Sequence, residues 1–119
     1  MLGIMQGRLT YSGRKLQSFP ENPYKEFELA SKIGYDFIEF FGEKKKNYKN
    51  PIWSTNGIKK YHRLSKKTKI KIFSFCDNYI INHSISSKTT YKVIVDILNN
   101  LSNLKIKKYI LPLYGSSEL

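Results

Sequence analysis

Gly34-Tyr35-Asp36-Phe37-Ile38-Glu39-Phe40-Phe41 is the stretch that decides the fold of this chain. It is short, apolar and aromatic, and it opens with a glycine of the kind that ends a helix, which predicts a buried strand over 35–41. Side chains alternate between the two faces of a strand. One face therefore carries Tyr35, Phe37, Glu39 and Phe41, and the other carries Ile38 and Phe40. Both faces are largely apolar, as is typical of a parallel strand covered on both sides.

Glu39 breaks this apolar pattern near the carboxyl end of the predicted strand. A carboxylate at such a position is costly unless it is paired, hydrogen-bonded or open to a wet pocket. In parallel α/β proteins, ligands gather at the carboxyl ends of the strands. We therefore expect Glu39 to face a substrate pocket, with an ion pair to a lysine or the capping of a neighbouring helix as the alternatives.

Strand and helix patterns alternate along the rest of the chain. The strands are predicted over 2–5, 35–41, 70–76 and 109–113. The helices are predicted from Asn22-Pro23 to Ile33, from an N-cap at Ser54 or Thr55 to about Lys67, and from an N-cap at Ser86 or Ser87 to about Leu104. The order β-α-β-α-β-α-β predicts an α/β fold with a parallel sheet. Four strands fit either a small open sheet or the first half of a TIM (β/α)8 barrel.

Apolar side chains recur at helical spacing within each predicted helix. The three stripes are Phe27, Leu29, Ala30 and Ile33 in the first helix, Ile58, Tyr61 and Leu64 in the second, and Ile94, Ile97, Leu98, Leu101 and Leu104 in the third. We expect these stripes to form the buried sides of the helices. The run Val93-Ile94-Val95 has strand character, but the longer helical period around it favours a helix.

The charge balance is strongly basic, with 21 lysines and arginines against nine acidic residues and a formal net charge of +12. Only Arg8, Arg14 and Arg63 are arginines, and the lysines are scattered over loops and helices. Arginine is favoured for bidentate recognition of phosphates and bases, so this composition makes a nucleic-acid partner a disfavoured interpretation.

Other residue patterns exclude several classes of protein. The single Cys76 excludes an internal disulfide, and no Cys/His cluster suggests zinc. No apolar run reaches membrane length, and the N-terminus lacks a signal-peptide pattern. We expect a cytoplasmic protein without a membrane partner.

A series of motifs occurs in one order along nearly the whole chain. They are Gly3-Ile4-Met5-Gln6-Gly7-Arg8-Leu9, Gln17-Ser18-Phe19-Pro20, Gly34-Tyr35-Asp36-Phe37-Ile38-Glu39, Asn50-Pro51-Ile52-Trp53-Ser54, Gly57-Ile58, Ser74-Phe75-Cys76-Asp77-Asn78-Tyr79 and Leu111-Pro112-Leu113. Together they resemble the opening of sugar phosphate isomerase/epimerase proteins with the xylose isomerase-like TIM barrel. The opening Met-Gln-Gly-Arg-Leu is the most specific of these motifs.

The resemblance implies an isomerase or epimerase of carbohydrate metabolism that moves protons on a ketose, aldose or related polyol with the help of a divalent metal such as Mn, Mg, Co or Zn. Its ligand would be a small-molecule sugar or sugar phosphate. In such families the paired glutamates and the metal-binding Asp and His come mainly from strands five to eight. Residues 1–119 therefore correspond to the N-terminal half of the barrel, a fragment truncated after strand four. We expect this chain alone to be inactive and not to bind the metal tightly.

Five residues carried over by the resemblance are candidates for substrate binding: Gln6, Arg8, Glu39, Asp77 and Tyr79. No catalytic or metal-binding residue is carried over. Three of the candidates have structural alternatives. Arg8 would instead fix the first loop by an ion pair, Asp77 would form an Asx-turn after its strand, and Tyr79 would pack under a loop.

Two other functions remain open at this point. One is a DNA-repair nuclease of the same superfamily, resembling the apurinic-site endonucleases. Such enzymes need histidines at early strand ends, where this chain has Asp77-Asn78-Tyr79. The other is a non-catalytic half-barrel that assembles with a partner, either as a homodimer or with a complementary half-barrel.

Overall fold

Four parallel strands form the centre of the molecule. A computed structural model describes residues 1–10, 13 and 18–119, so Gln17 of the second motif lies outside the described residues. The strands lie side by side in chain order as β1 (Gly3–Met5), β2 (Phe37–Gly42), β3 (Lys71–Asp77) and β4 (Lys108–Ile110). The predicted α/β fold with a parallel β-α-β-α-β-α-β order is thereby confirmed. The sheet is not closed, and its architecture is compatible with half of a (β/α)8 barrel.

Helices connect the strands. They are α1 (Lys25–Ile33), α2 (Thr55–Thr68), α3 (Tyr79–Asn82) and α4 (Lys88–Leu101), and short 3₁₀ turns cover Pro51–Trp53, Ser102–Leu104 and Gly115–Ser117. The single turn of α3 lies in a stretch for which the sequence patterns predict neither helix nor strand. None of the helices in the described part of the chain has the length and apolar character needed to cross a membrane.

Local chemistry fixes where the helices begin and end. The Asn22 side chain accepts a hydrogen bond from the Lys25 N–H at 3.0 Å, as predicted for a residue at the helix start. The helix α1 nevertheless begins at Lys25, two residues after the predicted Pro23, and its N-cap position is Tyr24. Gly34 ends α1 in the left-handed region at φ 99°, and its N–H bonds the Ala30 carbonyl, as a helix-ending glycine should. Ser54 caps α2 by accepting from a backbone N–H in the first turn.

The helices pack on one face of the sheet, which we call the helix face. Its core cluster contains residues from every helix-strand unit: Phe27, Ala30, Ile38, Phe40, Ile58, Tyr61, Ile72, Phe75, Val93, Ile97, Leu101 and Leu104. Three apolar residues depart from the predicted arrangement. Ile33 and Leu98 are 60% and 44% exposed because each lies at the margin of its stripe, and Tyr35 precedes β2 and packs against the core cluster.

The strand register defines a second face, which we call the inner face. Phe41 of β2 is paired with Cys76 of β3, which is paired with Ile110 of β4. A bulge in β3 adds one residue to it, because Ile38 is paired with Ile72 while Glu39 is paired with Ser74. The extra residue, Phe73, contacts Phe37 on the inner face, with 5.2 Å between the ring centroids and 46° between the planes.

Candidate functional site

The two candidates after β1 lie at its carboxyl end. Gln6 is 3% exposed, and its side-chain amide donates to the Tyr61 hydroxyl of α2 at 3.3 Å. Its backbone N–H continues the pairing with β2 by donating to the Glu39 carbonyl at 2.8 Å. Arg8 is half-buried in the loop that follows. Gln6 therefore contacts the helix layer.

Glu26 is a buried carboxylate that the sequence patterns did not single out. Its Oε1 accepts hydrogen bonds from the N–H groups of Gly7, Leu9 and Thr10 at 2.8, 3.1 and 3.2 Å. Burial raises the pKa of Glu26 above its ordinary value, and the three backbone donors partly oppose that shift. One side chain of α1 thus fixes the loop after β1, on which Arg8 lies.

The backbone of that loop has a strict requirement for glycine at one position. Gly7 has φ of +89°, and a Cβ added there would lie 2.4 Å from the Ser18 carbonyl oxygen. The left-handed conformation and the close approach both favour glycine. The Glu26 carboxylate thus fixes the backbone of 7–10, and glycine at position 7 leaves room for the Ser18 carbonyl to approach it.

Glu39 lies within β2 on the inner face, two strands away from the sheet edge formed by β4. Its carboxylate accepts a hydrogen bond from the hydroxyl of Ser74, its register partner on β3. Within residues 1–10, 13 and 18–119, neither an ion pair to a lysine nor the capping of a helix is observed for Glu39. The hydrogen bond from Ser74 lowers the cost of placing the Glu39 carboxylate in the sheet.

Asp77 ends β3 on the helix face and is fully buried. Its carboxylate accepts from the Tyr109 hydroxyl of β4 and from the Tyr79 N–H at 3.1 Å, which is the Asx-turn alternative considered for it. Burial raises the pKa of Asp77, and both hydrogen bonds oppose the rise. Asp77 therefore joins the ends of β3 and β4 and the start of α3.

Tyr79 is half-buried and stacks on His83, with 3.8 Å between the ring centroids and 6° between the planes. It also packs against the core cluster. The five candidates thus all lie on β1, β2 and β3 or directly after them. They do not surround one cavity, because Glu39 belongs to the inner face whereas Asp77 belongs to the helix face.

A wide cleft lies above the carboxyl edge of the sheet, and none of the five candidates lines it. Its volume is about 1300 Å³. Apolar and aromatic residues form part of the lining, namely Phe19, Pro20, Tyr24 and Phe41. The polar part of the lining comes from the loop after β1, the loop after β2 and the segment around α3, and comprises Ser18, Glu21, Glu43, Lys44, Lys45, Lys46, Asn47, Lys49, Asn78 and Asn82. This cleft is the candidate functional site.

The thiol beside the sheet edge is not activated. Burial raises the pKa of Cys76, and the Glu39 and Asp77 carboxylates raise it further because they disfavour a thiolate. The Cys76 Sγ lies 3.6 Å from the Asn78 side-chain oxygen. This environment fits the interpretation of Cys76 as a small, partly buried apolar residue.

The metal implied by the family resemblance does not fit the residues described here. Among residues 1–10, 13 and 18–119, no three His, Cys, Asp or Glu side chains form a group that could hold a metal ion. The carboxylates of Glu39 and Asp77 are each bonded to a hydroxyl and belong to opposite faces. They do not form a pair of ligands.

A scan of the chain against models of known protein families found no match, and a search of curated proteins found no significantly similar sequence. The resemblance to the sugar phosphate isomerases and epimerases therefore stays a prediction from the motifs. The fold and the cleft are the observations on which a function must be argued.

Proposed function

We propose that this chain contributes the sugar-binding or sugar phosphate-binding part of a barrel-type isomerase or epimerase. The observation that carries the proposal is the cleft at the carboxyl edge of the parallel sheet. Loops at this edge are where α/β proteins bind and transform small molecules, because the strands hold the loops rigidly while the loops supply the contacts.

The lining of the cleft supports a polyhydroxylated ligand. Side-chain amides both donate and accept hydrogen bonds, so Asn47, Asn78 and Asn82 match the mixed donor and acceptor character of sugar hydroxyls. Phe41 is 1% exposed and contacts Phe19 edge-on at 6.4 Å, which gives the cleft a firm apolar base. A few polar groups around an apolar base are typical of small-molecule sites.

The proposed role of this chain is binding and orientation. Proton transfer beside a carbonyl needs a positioned acid and base. In the described residues the buried carboxylates of Glu26 and Asp77 are occupied by backbone and tyrosine donors. Under this proposal the proton-transfer groups and the metal are supplied from outside the residues described here.

Amide-resolved NMR titration tests the proposal. Aldoses, ketoses and their phosphate esters are added to the labelled chain, and we expect shifts at the side-chain amides of Asn47, Asn78 and Asn82. Asn82→Ala should weaken binding because its exposed side chain lines the cleft. Asn99→Ala, at an exposed position of α4 away from the cleft, is the matched control. Absence of shifts with every sugar and sugar phosphate would overturn the proposal.

A second candidate function is a half-barrel that assembles with a partner chain. The specific observation is the inner face, where Met5, Phe37, Phe73 and Cys76 remain only half-buried, beside the edge strands β1 and β4. Apolar sheet surface and unpaired edges favour association. Sedimentation at micromolar concentration should show dimers or larger species. A compact monomer with a sharp cooperative melt would contradict this candidate.

A further inference from the structure

The loop after β2 contains the densest group of cations in the cleft lining. We call residues 44–49 the lysine loop; its sequence is Lys44-Lys45-Lys46-Asn47-Tyr48-Lys49. All four of its lysines line the cleft, where Glu21 and Glu43 are the acidic residues of the lining. The local balance is therefore four positive charges against two negative charges, an excess of two. This excess lies at the edge of the sheet where the proposed ligand binds.

The lysine loop is structured. The Asn50 N–H donates to the Asn47 carbonyl at 3.0 Å, and the Lys49 N–H donates to the Asn47 side-chain oxygen at 3.0 Å. Asn50 is itself 3% exposed and accepts from the Ile52 N–H at the start of the 3₁₀ turn. Two asparagines thus fix the backbone of the loop, so less conformational entropy is lost when a ligand binds.

Lys46 is additionally held by aromatic rings. Its Nζ lies 4.2 Å from the centroid of the Trp53 ring and 5.0 Å from that of Tyr48, at cation–π distance from both. It is half-buried, whereas Lys44, Lys45 and Lys49 are exposed. The lysine loop therefore presents one ammonium group oriented by aromatic rings and three solvent-exposed ones to the same cleft.

Other lysines provide a comparison within the same chain. Lys66 and Lys67 lie exposed in the last turn of α2, and Lys107 lies exposed just before β4. None of these three lines the cleft. Their charges contribute to the general potential of the protein, while the four lysines of the lysine loop converge on one concave surface.

We propose that the lysine loop binds the phosphoryl group of the ligand, so that the substrate class is a sugar phosphate, a phosphate monoester, in preference to the neutral sugar. This inference rests on the proposed function, since it concerns the same cleft. Lysine ammonium groups bind phosphate oxygens as point charges, and several of them around one dianion supply affinity without fixed bidentate geometry. Asn78 and Asn82, which line the same cleft outside the lysine loop, then contact the sugar hydroxyls.

Calorimetric titration with matched ligands tests the inference. Ribose 5-phosphate, ribose and inorganic phosphate are titrated separately into the whole chain. We expect ribose 5-phosphate to bind about 10-fold more tightly than ribose or more, and the difference to shrink as salt is raised. The triple variant Lys44→Ala/Lys45→Ala/Lys49→Ala should lose this preference while it keeps the weak binding of ribose.

The control variant is Lys66→Ala/Lys67→Ala/Lys107→Ala, which removes the same number of charges away from the cleft. We expect it to retain the preference for the phosphate ester. Lys46→Met tests the oriented ammonium group alone, because methionine keeps an apolar chain against Trp53 but carries no charge. It should lose several-fold in affinity for ribose 5-phosphate and none for ribose.

The outcomes separate the inference from the proposed function. Equal binding of ribose and ribose 5-phosphate would overturn the inference and leave the proposed function standing. Binding of neither would overturn both. An equal loss in the control variant would assign the effect to net charge and overturn the inference. Tighter, lysine-loop-dependent binding of a single-stranded oligonucleotide than of ribose 5-phosphate would also overturn it, in favour of a phosphodiester ligand.

Discussion

The two faces of the one sheet differ in how completely they are covered. On the helix face, Ile38, Phe40 and Phe75 are at most 1% exposed, and the buried polar group Asp77 has hydrogen-bond partners. On the inner face, Phe37 and Phe73 contact each other but stay half-buried. The same strands thus supply a finished core on one side and an incompletely covered apolar surface on the other.

This difference indicates where the stability of the fold comes from. Residues of the helix face lose nearly all contact with water, so each contributes its full transfer free energy and its packing. Phe37 and Phe73 of the inner face contribute only a fraction of that free energy, because their side chains stay partly in contact with water in the folded state. Substitutions at matched positions of β2 can therefore measure the two faces separately.

The largest expected effect is the contrast between Phe40→Ala and Phe37→Ala. Phe40→Ala should destabilise the fold by about 3–5 kcal/mol, because it removes a ring packed between Phe27 and Tyr61 in the core cluster. Phe37→Ala should cost about 1 kcal/mol, because its ring is less completely buried than that of Phe40. Urea unfolding monitored by circular dichroism measures both. If Phe40→Ala does not fold, Phe40→Leu replaces it. Equal losses of unfolding free energy in Phe40→Ala and Phe37→Ala would contradict the expected difference between the two faces.

A smaller contrast is expected between two carboxylates. Glu26→Ala should cost about 2–3 kcal/mol because three backbone donors lose their acceptor. Glu39→Ala should cost about 1 kcal/mol, since Ser74 alone loses a partner. Urea midpoints again give the measurement.

Glu26→Gln is the control for the loss of the acceptor. The amide oxygen can take the place of Oε1, which receives all three donors, so this variant should lose less than Glu26→Ala. A Glu26→Gln variant as unstable as Glu26→Ala would show that the negative charge, and not the acceptor, holds the first loop.

The smallest effect is on pH dependence. Burial raises the pKa values of Glu26 and Asp77, so folding favours their protonated forms. That contribution to stability is complete below the ordinary carboxyl pKa of about 4 and is lost as the pH rises through the folded-state values. Burial also raises the pKa values of the nearby Tyr61 and Tyr109, which therefore stay neutral in this range.

Urea midpoints measured from about pH 4 towards neutrality test this sign. We expect the wild type to lose more stability over this range than the double variant Glu26→Gln/Asp77→Asn, whose two amides do not titrate. Parallel pH profiles for the two proteins would show that these carboxyls do not couple to folding.

Local sequence features predicted the order and type of the secondary-structure elements. Gly34 and Ser54 marked helix ends because one residue in each case has the conformational freedom or the side-chain acceptor that a terminus needs. The helical period around Val93 correctly outweighed its strand character. These features depend on residues close in sequence, so the amino-acid sequence alone is sufficient to predict them.

The non-local features were harder to predict. Glu26 lies four residues before Ala30, on the buried stripe of α1, but a glutamate in the first turn of a helix is equally typical of a solvated position. Its partners come from a loop that precedes it by many residues. The organisation of the lysine loop depends on closer neighbours, Asn50 and Trp53, but a run of lysines with one asparagine does not itself indicate which side chain packs on an aromatic ring.

The bulge at Phe73 changes the parity of β3. Before it, even-numbered residues such as Ile72 lie on the helix face; after it, odd-numbered residues such as Phe75 and Asp77 do. The alternation of side chains along β3 therefore changes phase at the bulge. Residues before the bulge follow one parity, and residues after it, which lead to the carboxyl edge, follow the other. If the bulge were flattened with the sequence unchanged, Phe73 would pair with Glu39, the alternation would be uniform, and Phe75 would turn away from the core. A single inserted position thus decides which side of the sheet receives every later side chain of the strand.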